Sequence, residues 1–266
     1  MEFRTIVDIP DPGFRIAPCE EILFVGSCFA TEIGHRFQEE GFPVVVNPYG
    51  TMYNPASILH TIQRVGGART VFLTLGTNHV YRLKETGEIV DNCEKRPQSL
   101  FTEEELSVEA CADYLQQAIT LLREKNPDVR IVLTVSPIRY RKYGYHASQL
   151  SKATLLLAVQ KVSVNLCESV AYFPAYEIVN DELRDYRFYK PDMLHPSDQA
   201  VEYIWQRLSE TYFSDETKAF LQEWAPLKAA LNHKPFDAES QEYKAFMHKT
   251  MLKVEALRKK YPTFAM

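Results

Sequence analysis

At 266 residues, 45% of them hydrophobic, the chain is long enough to bury a sizeable core, and the lack of a long apolar run excludes a membrane-spanning helix. A net charge of −5 with acids and bases interspersed leaves no basic footprint for nucleic acid. The five cysteines, at 19, 28, 93, 111 and 167, are odd in number and show neither Cys-x-x-Cys nor zinc-like spacing, so reduced thiols are expected.

In chain order, the apolar run Ile22-Leu-Phe-Val25 predicts a strand that passes through Gly26-Ser27 into an amphipathic helix over 28–40. Ser27 therefore stands where open α/β sheets bind ligands, beside first-turn N–H groups that can hold an anion. It is either the helix cap or a nucleophile. A second strand over 43–46 leads into Asn47-Pro-Tyr-Gly-Thr-Met-Tyr-Asn54, where Gly50 would let a backbone N–H approach a ligand closely. The third strand, 70–75, ends in Leu75-Gly-Thr-Asn78. Residues 80–92 alternate around Thr86-Gly87 and predict an inserted β-hairpin that could rim a site beside Asn78.

A helix near 104–125 places Leu115, Ile119 and Leu122 on one stripe, and a fourth strand follows at 130–135. The next helix, 148–169, aligns Leu155, Val159, Val162 and Leu166, and a short strand covers 170–173. This alternation predicts a parallel sheet with right-handed crossovers. After a helix beginning near Ser197, residues 215–231 and 238–260 read as two further helices, broken by His233-Lys-Pro-Phe236 and without a catalytic pattern. Residues 1–213 are thus expected to form an α/β domain, and 214–266 a helical extension packed on it.

The loop Asp192-Met-Leu-His195 supplies what a serine nucleophile lacks. A hydroxyl needs a base to take its proton, and the base needs an acid to hold its tautomer and stabilise the imidazolium. An i, i+3 spacing lets one loop carry both groups. Asn78, at a neighbouring strand end, could donate to an oxyanion, although Thr77-Asn78 also suits a plain turn.

These blocks together resemble the SGNH (GDSL-like) hydrolases, and Gly26-Ser27-Cys28-Phe29-Ala30 is similar to the namesake string of the GSCFA family within them. The resemblance spans most of residues 20–213. It implies a flavodoxin-like three-layer α/β/α sandwich, with Ser27, Asp192 and His195 as triad and Ser27, Gly50 and Asn78 as oxyanion donors. Two departures stand out: Gly26 directly precedes Ser27 where Gly-Asp-Ser is common, and His79 follows Asn78 where an Asp is usual. Asn92-Cys93-Glu94-Lys95 also looks like a family segment, with Glu94 in the usual place of a histidine.

Competing readings are weaker. Cys28 is expected to point inward from its helix rather than serve as nucleophile. His79, His146 and His195 show no metal-binding pattern, so neither a metal nor a cofactor is expected. Arg139, Arg141 and Lys142 read as a solvated basic loop. Phe24, Phe29, Phe37, Tyr49 and Tyr53 read as core or pocket wall. No dinucleotide, P-loop or Gly-x-Ser-x-Gly motif occurs. The opening Met-Glu-Phe-Arg-Thr-Ile-Val-Asp lacks the pattern of a signal peptide, so a cytoplasmic location is expected. The resemblance implies a serine esterase acting on a short acyl ester of a carbohydrate or small metabolite. An acyltransferase with the same triad and a non-catalytic ligand-binding relative are the alternatives.

Overall fold

The computed structural model describes residues 4–91, 93, 96–163 and 169–266. Asn92, Glu94 and Lys95 of the family segment, and Leu166 and Cys167 of the helix predicted over 148–169, lie outside the described residues. The elements are β1 (Ile22–Gly26), α1 (Cys28–Glu39), β2 (Val44–Val46), α2 (Pro55–Arg64) and β3 (Thr70–Leu75), followed by β4 (His79–Leu83), β5 (Ile89–Val90) and β6 (Phe101–Glu105). Next come α3 (Val108–Lys125), β7 (Arg130–Val135), α4 (Gly144–Ser163), β8 (Val170–Tyr172) and the single turn α5 (Ala175–Glu177), which runs on into a π-helical segment, Ile178–Leu183. The helices α6 (Asp198–Tyr212), α7 (Asp215–Leu231) and α8 (Gln241–Lys260) complete the chain.

The main sheet is parallel, in the order β2-β1-β3-β7-β8, with Phe24 opposite both Val46 and Phe72. Successive side chains of a strand point to opposite faces, and β1 feeds two separate cores in this way. Ile22 and Phe24 face α1, α6, α7 and α8, whereas Leu23 and Val25 face α2, α3 and α4. The result is the expected three-layer α/β/α sandwich of flavodoxin-like strand order. After β1 the chain steps outward to β2 and then crosses back to β3, so the order reverses between β1 and β3. Their carboxyl ends flank the crevice where such sheets hold ligands.

A second sheet, in the order β5-β4-β6, is antiparallel. The predicted hairpin forms as β4 and β5, but its third strand was not foreseen. Phe101-Thr-Glu-Glu-Glu105 pairs along the whole of β4, from Leu83↔Phe101 to His79↔Glu105, so α3 starts at Val108, capped by Ser107, and not near 104. The helix predicted from 148 begins at Gly144, because Arg141–Tyr143 form a 3₁₀ turn that leads into it. Helix α7 spans the predicted 215–231 and is capped by Ser214.

The C-terminal helices close over the end of α1. Phe220, Trp224, Val254, Leu257 and Phe264 join the same buried cluster as Phe37 and Phe42. Trp224 Nε1 donates to Glu39 O at 3.2 Å, and Lys228 pairs with Glu40 at 3.0 Å. Among the described residues, no helix is long and apolar enough to cross a membrane.

Candidate active site

Ser27 caps α1, its Oγ accepting from Phe29 N at 3.3 Å, and the residue is fully buried. Its own N–H donates to Thr74 O at 3.0 Å, continuing the β1–β3 ladder. The residue before it can only be glycine. Gly26 has φ +147°, and a Cβ there would lie 2.1 Å from Thr74 O. Asn47, itself at φ +43°, accepts from Gly26 N at 2.9 Å through Oδ1 and donates to Thr31 Oγ1 at 3.0 Å through Nδ2. This clamp on the serine turn has no motif spacing to announce it, and the sequence reading did not single out Asn47.

From the neighbouring strand end, Gly76 comes against the serine. A Cβ on Gly76 would lie 3.3 Å from Ser27 Cβ, 2.8 Å from Tyr140 Oη and 2.9 Å from Tyr53 O. Tyr53 O accepts from both Gly76 N (2.9 Å) and Thr77 N (2.7 Å). Tyr53 and Tyr140 meet edge to face at 5.9 Å, and Tyr53 Oη lies 3.7 Å from Cys28 Sγ. Burial raises both phenols, Tyr53 to about 12 and Tyr140 well above the ordinary tyrosine value. Cys28 is half-buried, packed against the core cluster that holds Phe24, Phe29 and Phe37 and with its Sγ beside Tyr53 Oη. Phe24, Phe29 and Phe37 are core, Tyr49 is part of the wall of an open cleft beside β2, and Tyr53 is partly exposed with its hydroxyl end against Cys28.

Asp192 and His195 form a dyad. His195 Nδ1 and Asp192 Oδ2 are 2.6 Å apart, while Asp192 Oδ1 accepts from the backbone N–H groups of Leu194 (2.8 Å) and His195 (3.0 Å). Those backbone bonds, with the imidazole contact added, hold the Asp192 carboxyl down at about 2. The turn is tethered to the same end of the sheet as Ser27. Arg139, a few residues past β7 and next to Tyr140, donates its N–H to Leu194 O (3.2 Å) and its Nη1 to Met193 O (3.1 Å). Its guanidinium lies over the rings of Tyr145 (4.3 Å) and Tyr189 (5.3 Å). Arg139 is therefore a strut in this structure and not part of a solvated basic loop. On the other side of the turn, Lys190 pairs with Glu32 of α1 at 3.0 Å.

The expected oxyanion donors are each engaged internally. Ser27 N bonds Thr74 O, and Gly50 N bonds Asn47 O at 2.9 Å in an exposed turn. Asn78 Nδ2 donates to Leu106 O at 2.8 Å, and Leu106 N returns a bond to Asn78 O at 3.0 Å. Asn78 thus ties the start of β4 to the end of β6, while its Oδ1 is buried without a partner. His79, in the place of the usual acid, is buried and stacked on Tyr143 at 3.7 Å. Burial lowers its pKa.

A group that sequence reasoning missed lies directly beneath. Lys152 of α4 is 2% exposed and donates from Nζ to Gly76 O (2.6 Å) and Ser136 O (2.7 Å), the carbonyls just past β3 and β7. Burial holds its ammonium down at about 7. The available signal was its place on the sheet-facing stripe with Ser148, Ser151, Leu155 and Val159.

The sequence of the GSCFA family matches residues 21–69 and 61–208, and the C-terminal domain of GSCFA domain proteins matches residues 224–266. The chain belongs to the GSCFA family. Its signature string is the segment that turns from β1 into α1 around Ser27. No curated protein matches this GSCFA chain. Among solved structures it is similar to a member of the lipolytic protein G-D-S-L family from Veillonella parvula, at 13% identity over 72% of this chain and 97% of the other, TM-score 0.47. It is likewise similar to a carbohydrate esterase family 3 protein from Talaromyces cellulolyticus (10% identity, 77% and 99%, TM-score 0.41) and to a protein of Lactobacillus plantarum (13%, 75% and 100%, TM-score 0.49).

Proposed function

We propose that this protein is a serine esterase that hydrolyses a short acyl ester, such as an O-acetyl group on a carbohydrate or small metabolite. The observation that carries the reading is the Asp192–His195 dyad, its carboxylate fixed by two backbone N–H groups and held at the carboxyl end of the sheet that presents Ser27. In this reading Ser27 Oγ attacks the ester carbonyl and the free Nε2 of His195 takes the hydroxyl proton. Asp192 holds the tautomer that leaves Nε2 unprotonated and stabilises the imidazolium. The leaving alcohol collects that proton, and water, activated by the same histidine, releases the acid. The first turn of α1 lies beside the serine and supports an oxyanion there, and Asn78, which keeps a second amide hydrogen beyond the one given to Leu106 O, is the further donor this reading assigns.

Because Ser27 is fully buried, an ester reaches Oγ only when the side chains over it move. That burial, together with the capping bond to Phe29 N, favours a second reading in which the serine is structural and the crevice binds a ligand without turnover. A fluorophosphonate separates the two. It reacts with a hydroxyl that a neighbouring base has made nucleophilic, so label on Ser27 that is lost in His195→Ala is the esterase outcome. Label on Cys28, or none on the folded protein, refutes it.

A further inference from the structure

Lys152 has no part in the acyl transfer just described, yet it is built into the same strand ends. The helix stripe that it shares with Ser148, Ser151, Leu155 and Val159 is buried, and a lysine there costs more than an apolar residue unless its charge is used or paired. Among the described residues, no carboxylate pairs with it. The groups that face it are neutral. The ring of Tyr140, from the loop after β7, lies 5.5 Å from Nζ, and that of Tyr176, from α5, lies 6.0 Å away. Tyr53 and Cys28 stand behind Tyr140, and the nearby acid Glu177 is bound by Tyr172 Oη at 2.8 and 2.9 Å. Its two hydrogen-bond acceptors, Gly76 O and Ser136 O, close the ends of β3 and β7, and the Gly76 residue touches Ser27. Gly76 and Thr77 are thus gripped from both sides, by Lys152 through the carbonyl and by Tyr53 O through the two N–H groups.

We propose that Lys152 is a positioning residue of the serine site: through Gly76 O it fixes the Gly76-Thr77 peptide against Ser27, and its unpaired ammonium supplies positive potential on the side of the crevice where an acyl oxyanion forms. The inference rests on the esterase reading. A charge in a dry site acts far more strongly than in water and needs no reorganisation at the moment of reaction. A strut alone would be served as well by a neutral donor.

The test compares wild type with Lys152→Met, measuring kcat and KM for p-nitrophenyl acetate from about pH 5 to about pH 10. Wild type should lose activity on an alkaline limb as the ammonium deprotonates. Lys152→Met should lose about 10²-fold in kcat with KM within about twofold, and its alkaline limb should disappear. Wild-type kcat in the variant overturns the proposal, and so does a lowered kcat with the alkaline limb intact, because the lysine would then be a strut only. Should Lys152→Met fail to fold, phenylboronic acid on wild type gives the answer. It forms an anionic tetrahedral adduct on Ser27, and coupling is reciprocal, so the Lys152 side-chain NMR signal should titrate about one pH unit or more higher in the adduct. An unmoved titration overturns the proposal. Ser27-dependent hydrolysis with Lys152 silent defeats this inference alone, whereas no hydrolysis, label or boronate binding at Ser27 defeats the esterase reading and this inference with it.

Discussion

Ser27 lies inside the sheet and the Asp192–His195 turn lies on its rim, and the two halves of the site are held by different kinds of contact. Around the serine the constraints are close-range and act on the backbone: the ladder bond to Thr74, the glycine-only approach of Gly26, the Asn47 side chain clamped on Gly26 N and the close contact of Gly76. The acid–base turn is half-exposed, passes through Met193 at φ +60°, and depends on side chains reaching in from elsewhere, Arg139 from beyond β7 and Lys190 across to Glu32. Buried backbone bonds cannot be loosened without cost, whereas an exposed ion pair contributes little to stability. Substitutions around the serine should therefore change rate and stability together, and substitutions in the turn should change rate alone.

The largest effects test that contrast directly. Ser27→Ala, His195→Ala and Asp192→Asn should each lower kcat on a short p-nitrophenyl ester by about 10³-fold or more. Ser27→Ala also removes a helix cap worth about 1 kcal/mol, so its Tm should fall by about 2–4 °C. His195→Ala should leave Tm where it was. Equal losses of Tm in the two variants, read by thermal melts, would break the comparison. Retained hydrolysis in Ser27→Ala would remove the mechanism.

Asn78 lies between the halves, because its side chain belongs to the tie between β4 and β6 while its position belongs to the crevice. If its remaining amide hydrogen meets the oxyanion, Asn78→Ala should lower kcat by about 10²-fold with KM nearly unchanged. A fall in Tm with kcat intact would assign Asn78 to the tie with Leu106 alone.

In the turn, Arg139→Ala should lower kcat about tenfold, since loss of the Nη1 tether to Met193 O and of the guanidinium packed on Tyr145 and Tyr189 lets the imidazole wander by a fraction of an ångström, although the backbone N–H bond to Leu194 O remains. Tm should hardly change. The diagnostic measurement is fluorophosphonate labelling rate against Tm: slowed labelling on an equally stable protein supports the strut, and unchanged labelling refutes it.

How much of this was legible in the sequence follows the same division. β1, β3 and β7 are apolar runs buried on both faces, so their composition alone marks them. Ser27 was legible because it stands where the period changes from strand to helix. Asp192 and His195 were legible only as a spacing; the Arg139 and Lys190 tethers come from distant parts of the chain. β6 was hidden because Phe-Thr-Glu-Glu-Glu has the composition of a helix start, and pairing with β4 overrides it: Arg82 and Lys142 meet Glu104 and Glu103 there. Asn47 and Lys152 escaped for a related reason. Each acts through a hydrogen bond to backbone far away in sequence, and a lysine reads as surface unless its place on a buried stripe is weighed.

The last expected effect concerns stability alone and comes from that lysine. In the unfolded chain Lys152 keeps its proton to the ordinary lysine value of 10.5, whereas in the folded protein burial releases it at about 7. Between those two values the unfolded chain binds more protons, so this group makes the fold more stable as pH rises; below about 7 both states are charged and its contribution to the slope vanishes. Lys152→Met has no such proton to lose. Its stability minus that of wild type should therefore fall by up to about 1.4 kcal/mol for each unit of pH in the middle of that window, roughly a tenfold change in the folding equilibrium. Urea denaturation at several pH values measures it, and the difference cancels the cysteines and tyrosines that titrate in the same range. Parallel curves would mean that Lys152 stays charged in the folded protein, stabilised by a partner that desolvation alone does not provide. The serine half of the site would then carry a fixed positive charge, and not one that titrates near neutrality.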